Sequence, residues 1–164
     1  MLAATGCGLA VLVGAQPAAA SVASGKVGVI TLRKLSILNL SDLDFATNIA
    51  GTSAGTVVID PNTDSRMNSG GTIAGGGVPQ AAKFYTYGGP LQNLQVNRGP
   101  LPVLTRVGGG GTMNVTELSL NGPVLRFLNA AGLLDLRVGG TLAVGANQAA
   151  GAYTGTFQII VTYY

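Results

Sequence analysis

Acid–base or nucleophilic chemistry in this chain would have to come from six Asp and Glu and nine Lys and Arg, because the sequence contains no histidine. The commonest general base is therefore missing. A serine activated by a lysine three residues on is missing too. The residues three before Lys26, Lys34 and Lys83 are Ala23, Thr31 and Gln80. Asp42 and Asp44 share one strand face and could in principle act as an acid and base pair. Their neighbours Leu43 and Phe45 face the other way, so the pair is expected to be a solvated surface.

Two further patterns resemble ligand loops. Asp60-Pro61-Asn62-Thr63-Asp64 places oxygen ligands at positions 1, 3 and 5 of a calcium-type loop. Positions 6 and 12 hold Ser65 and Gly71, where such a loop needs Gly and Glu. The expected structure is a turn, with Pro61 at its second position and Asp60 bonding forward to the backbone. The run Gly108–Gly111 lacks the Gly-Lys-Ser/Thr ending of a phosphate-binding loop and is expected to be a plain loop. No catalytic, cofactor or metal residue is assigned, and the chain is not expected to be an enzyme. The net charge of +3 comes from scattered residues, so no nucleic-acid partner is expected.

The elements that would carry any site are strands. The chain has 26 Gly, no Trp and few charges, with many Thr, Val and Leu, a composition of short strands and turns. Strand-like runs occur at Lys26–Leu40, Leu43–Phe45, Thr56–Asp60, Ala81–Tyr87, Leu91–Val96, Thr112–Leu120 and Leu133–Val144. Residues 68–79 are Gly-rich and end at Pro79. Leu125–Leu134 is the sole helix candidate, weakened by Gly132. Eight or nine short strands imply an all-β protein, a single Ig-like antiparallel β-sandwich over residues 30–164.

The clearest strand is the last, Gly151–Tyr164, after which the sequence stops. Tyr153, Gly155, Phe157, Ile159, Val161 and Tyr163 form an apolar stripe, and the alternate set is mostly Thr and Gln. Such a strand either closes its own sheet or stays open to a partner strand.

At the other end, residues 1–20 read as a secretory signal. Leu9–Val13 is the apolar heart, and Ala18-Ala19-Ala20 is the small-x-small cleavage site, so the mature chain is expected to begin at Ser21. No Lys or Arg precedes the apolar run, which points to a start codon further upstream. Ala4-Thr5-Gly6-Cys7 resembles a lipobox, but the apolar run follows the cysteine rather than preceding it, so no lipid anchor is expected. The apolar run is too short to span a bilayer. Cys7 is the single cysteine, and the mature chain would have no disulfide.

Taken in order, LDF, GTVVIDP, AAKF, GGTM and LRVGGTLAVGANQAAGAYTGTF resemble the bacterial domain of unknown function 4402, a secreted β-rich family, over residues 30–164. Ala46 stands where that family usually has Gly. The Gly fourteenth from the end, the alternating apolar residues and the penultimate Tyr resemble the C-terminal strand of chaperone–usher pilus subunits, many of which carry the disulfide this chain lacks. The resemblance implies a pilin-like structural subunit of a bacterial surface fibre, exported to the periplasm and then the cell surface. A groove beside Gly151, Tyr153, Phe157, Ile159, Val161 and Tyr163 would accept the N-terminal strand of a neighbouring copy. Residues 21–29 would be the extension, with Val22, Val27 and Val29 as donor side chains. A periplasmic chaperone and an outer-membrane usher would be partners. The alternative is a monomeric secreted or surface adhesin-like module that completes its own sandwich.

Overall fold

The centre of the structure is one long strand, Leu133–Val144, with backbone partners along both edges. The computed structural model describes residues 32–164, and before them Lys26, Gly28, Val29 and Thr31. Residues 1–20 and most of the 21–29 extension lie outside the described residues, Val22 and Val27 among them. Residues 32–164 form one compact unit.

The described strands are β1 (Ser36–Ser41), β2 (Thr47–Ile59), β3 (Arg66–Gly76), β4 (Ala82–Tyr87), β5 (Asn93–Arg98), β6 (Val103–Arg106), β7 (Thr112–Leu120), β8 (Leu125–Phe127), β9 (Leu133–Val144), β10 (Tyr153–Thr154) and β11 (Ile159–Tyr163). All pairings are antiparallel, and no helix is present among the described residues. The larger sheet runs β1-β4-β9-β7-β6-β10, with β2 also on β9 and β3 outside β2. The smaller sheet is β11-β5-β8. The all-β antiparallel sandwich expected from the sequence is the fold observed.

One edge of β9 serves two strands in succession. Leu133–Val138 pairs with β4, and Gly140–Val144 pairs with Gly55–Ile59 of β2. The opposite edge pairs with β7 from Val138 to Ala143. Gly139 sits where β2 gives way to β4. A Cβ there would lie 2.1 Å from the Ile59 carbonyl oxygen and 2.9 Å from Pro61 Cδ, so only glycine fits. Alternate residues of β9 face inward. Leu136, Val138, Leu142 and Val144 join Val57, Ile59, Val115, Leu118 and Val96 in the core, and Val96 comes from the smaller sheet. Burying each such side chain contributes about 1.5–3 kcal/mol.

Several elements differ from expectation. β2 starts at Thr47 rather than Thr56, and the Gly-rich stretch after residue 66 is strand β3. Glycine is depleted in strands, which hides β3 from propensity. Its ladder to β2 is reinforced by the hydroxyls of Thr56 and Ser69 at 2.6 Å and by Thr72 Oγ1 donating to the Thr56 carbonyl at 3.0 Å. The helix candidate Leu125–Leu134 is instead β8 and a turn. There Asn129 Oδ1 accepts the amides of Ala131 and Leu133 at 2.9 Å each, a local bond that competes with helix. Residues 31–35 are not strand.

The Asp60–Asp64 segment is a turn. Asp60 Oδ1 accepts the amides of Asn62 at 2.7 Å and Thr63 at 3.0 Å, the forward bonding read from the sequence. Asp64 reaches further. It pairs with Arg137 of β9 at 2.5 Å and Lys83 of β4 at 3.7 Å, and accepts the Ala81 amide at 2.8 Å. One carboxylate thus ties the β2–β3 turn to β4 and β9. Asp42 and Asp44 are exposed while Phe45 is buried, so the two carboxylates face solvent as expected.

Two predictions follow from this geometry. Ala46 has φ +55°, in the left-handed region that disfavours a Cβ. Ala46→Gly should therefore stabilise the fold by about 1 kcal/mol, read as a raised urea midpoint at unchanged m. The hydrogen bond from Arg137, more than any other contact, holds the Asp64 carboxyl below the ordinary value, and the Ala81 amide adds to it. A carboxyl lowered on folding stabilises the fold above its unfolded pKa, and that contribution is lost as pH falls through the folded one. Asp64→Asn should melt below wild type at pH 7, and the gap should close on acidification below about pH 4. A gap that stays constant with pH would assign the effect to shape rather than charge.

Candidate strand-acceptor edge

The last fourteen residues do not form the single strand their alternation suggests. Tyr153 and Thr154 pair with Arg106 and Thr105 in the larger sheet. Residues 155–158 then cross over, and β11 pairs with β5 in the smaller one. The ladder stops at Thr154, although Leu104 and Val103 of β6 are next in register. Gly155, the first residue past it, lies close against β6: a Cβ there would be 2.9 Å from the Val103 carbonyl oxygen.

Facial alternation nevertheless persists through the crossover. Tyr153, Phe157, Ile159, Val161 and Tyr163 are half-buried, and Thr154, Thr156, Gln158, Ile160, Thr162 and Tyr164 are exposed. The crossover does, however, separate the stripe into two groups with different surroundings.

Tyr153 belongs to the larger sheet, and Gly151 lies in the bend that leads into it. The Tyr153 hydroxyl donates to the Ala149 carbonyl at 2.7 Å and accepts from Gln148 Nε2 at 2.8 Å. Arg106 Nε donates to the Ala150 carbonyl at 2.7 Å. Gly151 has φ +147°, and a Cβ there would lie 2.6 Å from Arg106 Nε. These residues pin the turn before β10.

Phe157, Ile159, Val161 and Tyr163 form the second group. The Phe157 ring meets Phe84 edge-on, with centroids 6.1 Å apart, a favourable aromatic arrangement. Val161 stands opposite buried Val96, and Tyr163 opposite buried Leu94. Phe157, Ile159 and Val161 pack against the core, yet each keeps part of its surface open. β5 occupies one edge of β11. The other edge has no partner strand among the described residues.

Tyr163 has a second task. Its hydroxyl donates to the Arg33 carbonyl at 2.7 Å and accepts the Gly89 amide at 2.8 Å. It therefore joins the end of β11 to the β4–β5 turn and to the segment leading into β1. β1 is itself an outer strand, paired only with β4, and Ile37, Leu38 and Leu40 are exposed on it. Sequence reasoning missed the Arg33 and Gly89 partners because both contribute backbone groups, which leave no mark in residue type. The alternation of Leu94 and Val96 within β5 was the available signal for the partner of β11. Of the expected donor side chains, Val29 is described and is 87% exposed.

The fold and this edge define a class: an antiparallel β-sandwich with an outer strand whose apolar face is half covered. The chain belongs to the domain of unknown function (DUF4402) family, whose sequence model matches residues 35–163. No curated protein and no solved structure gives a match.

Removing the Tyr163 hydroxyl leaves the N–H of buried Gly89 without its partner, while the exposed Arg33 carbonyl can turn to water. Tyr163→Phe should cost about 1 kcal/mol. Denaturant unfolding measures the loss, and faster hydrogen exchange at the Gly89 amide would place it at this junction.

Proposed function

We propose that the protein is a non-enzymatic structural subunit of a bacterial surface fibre, exported and assembled by strand donation between copies. The supporting observation is the outer edge of β11, which is unpaired among the described residues and flanked by the half-covered Phe157, Ile159 and Val161. A strand added there would gain backbone hydrogen bonds along β11, and its alternate side chains would cover the open part of the stripe. A one-residue slip would turn each donor side chain to the wrong face, so register would be specific. The donor is residues 22–31 of a neighbouring copy, with Val27 and Val29, which share one face of an extended strand, entering the stripe. A periplasmic chaperone would cover the same edge before assembly, and an usher would exchange it for the donor. A lone subunit with this edge open would be prone to aggregate.

The test uses the mature chain from Ser21 and a chain lacking residues 21–31. Strand donation predicts that the shortened chain is monomeric, and that a peptide of residues 21–31 raises its melting temperature in a concentration-dependent manner. Stabilisation should reach about 2.7 kcal/mol at a hundredfold excess over Kd. The mature chain should form concentration-dependent oligomers in sedimentation. A mature chain that stays monomeric, with residues 22–31 free in solution and no response to the peptide, would make it a self-contained adhesin-like module instead.

A further inference from the structure

The segment between β7 and β8 carries chemistry that strand donation does not use. Asn121-Gly122 is the single Asn-Gly pair in the sequence. Such a pair holds an electrophile and a nucleophile side by side. The backbone nitrogen that follows the asparagine can attack the side-chain Cγ, and glycine has no Cβ to obstruct that approach.

The Asn121 amide is held on both of its atoms. Its Oδ1 accepts from Arg126 Nη1 at 2.8 Å and from the Arg137 backbone N–H at 3.1 Å, and its Nδ2 donates to the Asp135 carbonyl at 3.3 Å. Two donors meet the oxygen and an acceptor meets the nitrogen, so these partners fix one orientation of the amide. A pair of N–H groups about 2.7–3.1 Å from the oxygen of an attacked carbonyl is the arrangement that stabilises the oxyanion formed there. Arg126 is itself held in place. Its Nε donates to the Pro123 carbonyl at 2.6 Å and its Nη2 to the Gly122 carbonyl at 2.9 Å. No carboxylate pairs with Arg126 among the described residues, so its charge faces Oδ1 without being neutralised. Gly122 is exposed, and its N–H has no hydrogen-bond partner among the described residues. The nucleophile is therefore free, and water can enter and ammonia leave.

We propose that Asn121-Gly122 is a self-modification site, at which Arg126 and the Arg137 N–H promote deamidation of Asn121. The Gly122 nitrogen loses its proton and bonds to Asn121 Cγ, and the negative charge that develops on Oδ1 is held by the two donors. The bond from Cγ to Nδ2 then breaks, and Nδ2 takes up a proton and departs as ammonia. Water opens the resulting succinimide ring at either of its two carbonyls. One route restores the backbone with a carboxylate at position 121, and the other passes the backbone through the former side chain. The net reaction consumes one water, releases one ammonia and transfers no electrons. It is independent of strand donation.

The experiment incubates the mature chain at neutral and mildly alkaline pH and follows residue 121 by peptide mapping with mass spectrometry, which reads the replacement of NH2 by OH. The same chain unfolded in urea, where neither donor is in place, is the reference. The expected result is faster conversion in the folded chain than in the unfolded one, with a rate that rises with pH because the Gly122 N–H must lose its proton. Arg126→Met should slow the folded chain about tenfold, less than the loss of a donor from an enclosed oxyanion site because this one is open to water. Gly122→Ala should slow it as well. An added Cβ there meets nothing nearer than 3.4 Å, so the variant is expected to fold as wild type. Slower conversion in the folded chain than in the unfolded one overturns the proposal, and that comparison needs no variant. So does a folded Arg126→Met chain that converts as fast as wild type or faster, since the bonds to Oδ1 would then clamp the amide rather than activate it.

Discussion

Everything in this fold depends on the hydrogen bonding of β9 along both of its edges. β4 and β2 follow one another on one side, and β7 lies along the other. The arrangement lets one strand organise most of the larger sheet, but it requires β2 to leave and β4 to arrive within one or two residues. Gly139 permits that close approach, and Asp64 secures it by bonding at once to Arg137 of β9 and Lys83 of β4. An ion pair with a side-chain exposure near one third contributes little alone. Here its value is geometric, since the same carboxylate also accepts the Ala81 amide.

Against that centre, whose backbone is paired along both edges of β9, the outer strands are unfinished. β1 exposes apolar side chains, and β11 presents an edge with a half-covered stripe. Natural sheets commonly protect such edges with charge, proline or a bulge. β11 has none of these: its residues are Ile, Ile, Val, Thr and Tyr. The contrast between a closed centre and an open rim supports a reading in which the rim is completed by another chain.

Much of the fold was legible because burial imposes a period of two. Val57 and Ile59, Leu94 and Val96, and the inward residues of β9 all announce themselves in this way. The parts that were not legible are those held by backbone or by glycine. β3 is rich in glycine, and β8 has three residues, too few to show a period. The division of the last strand was invisible for a related reason. Side-chain alternation carries from Tyr153 to Tyr163, whereas the sheet to which each part belongs is set by backbone pairing with β6 or β5, which residue type does not record. Of the candidate edge, the stripe could be read from residue types. The anchoring of Tyr163 to the backbone of Arg33 and Gly89 could not.

The position of β9 late in the sequence sets the order of events in folding. Gly55 pairs with Val144, about ninety residues further on, and contacts so distant in sequence slow the search for the native state. On a nascent chain emerging in order, β2 and β3 can zip into a hairpin early, but β4 and β7 have no common partner until β9 is made. During that interval their apolar faces are uncovered. The chain therefore has a long aggregation-exposed lag, whose length is fixed by topology rather than by the strength of any single contact.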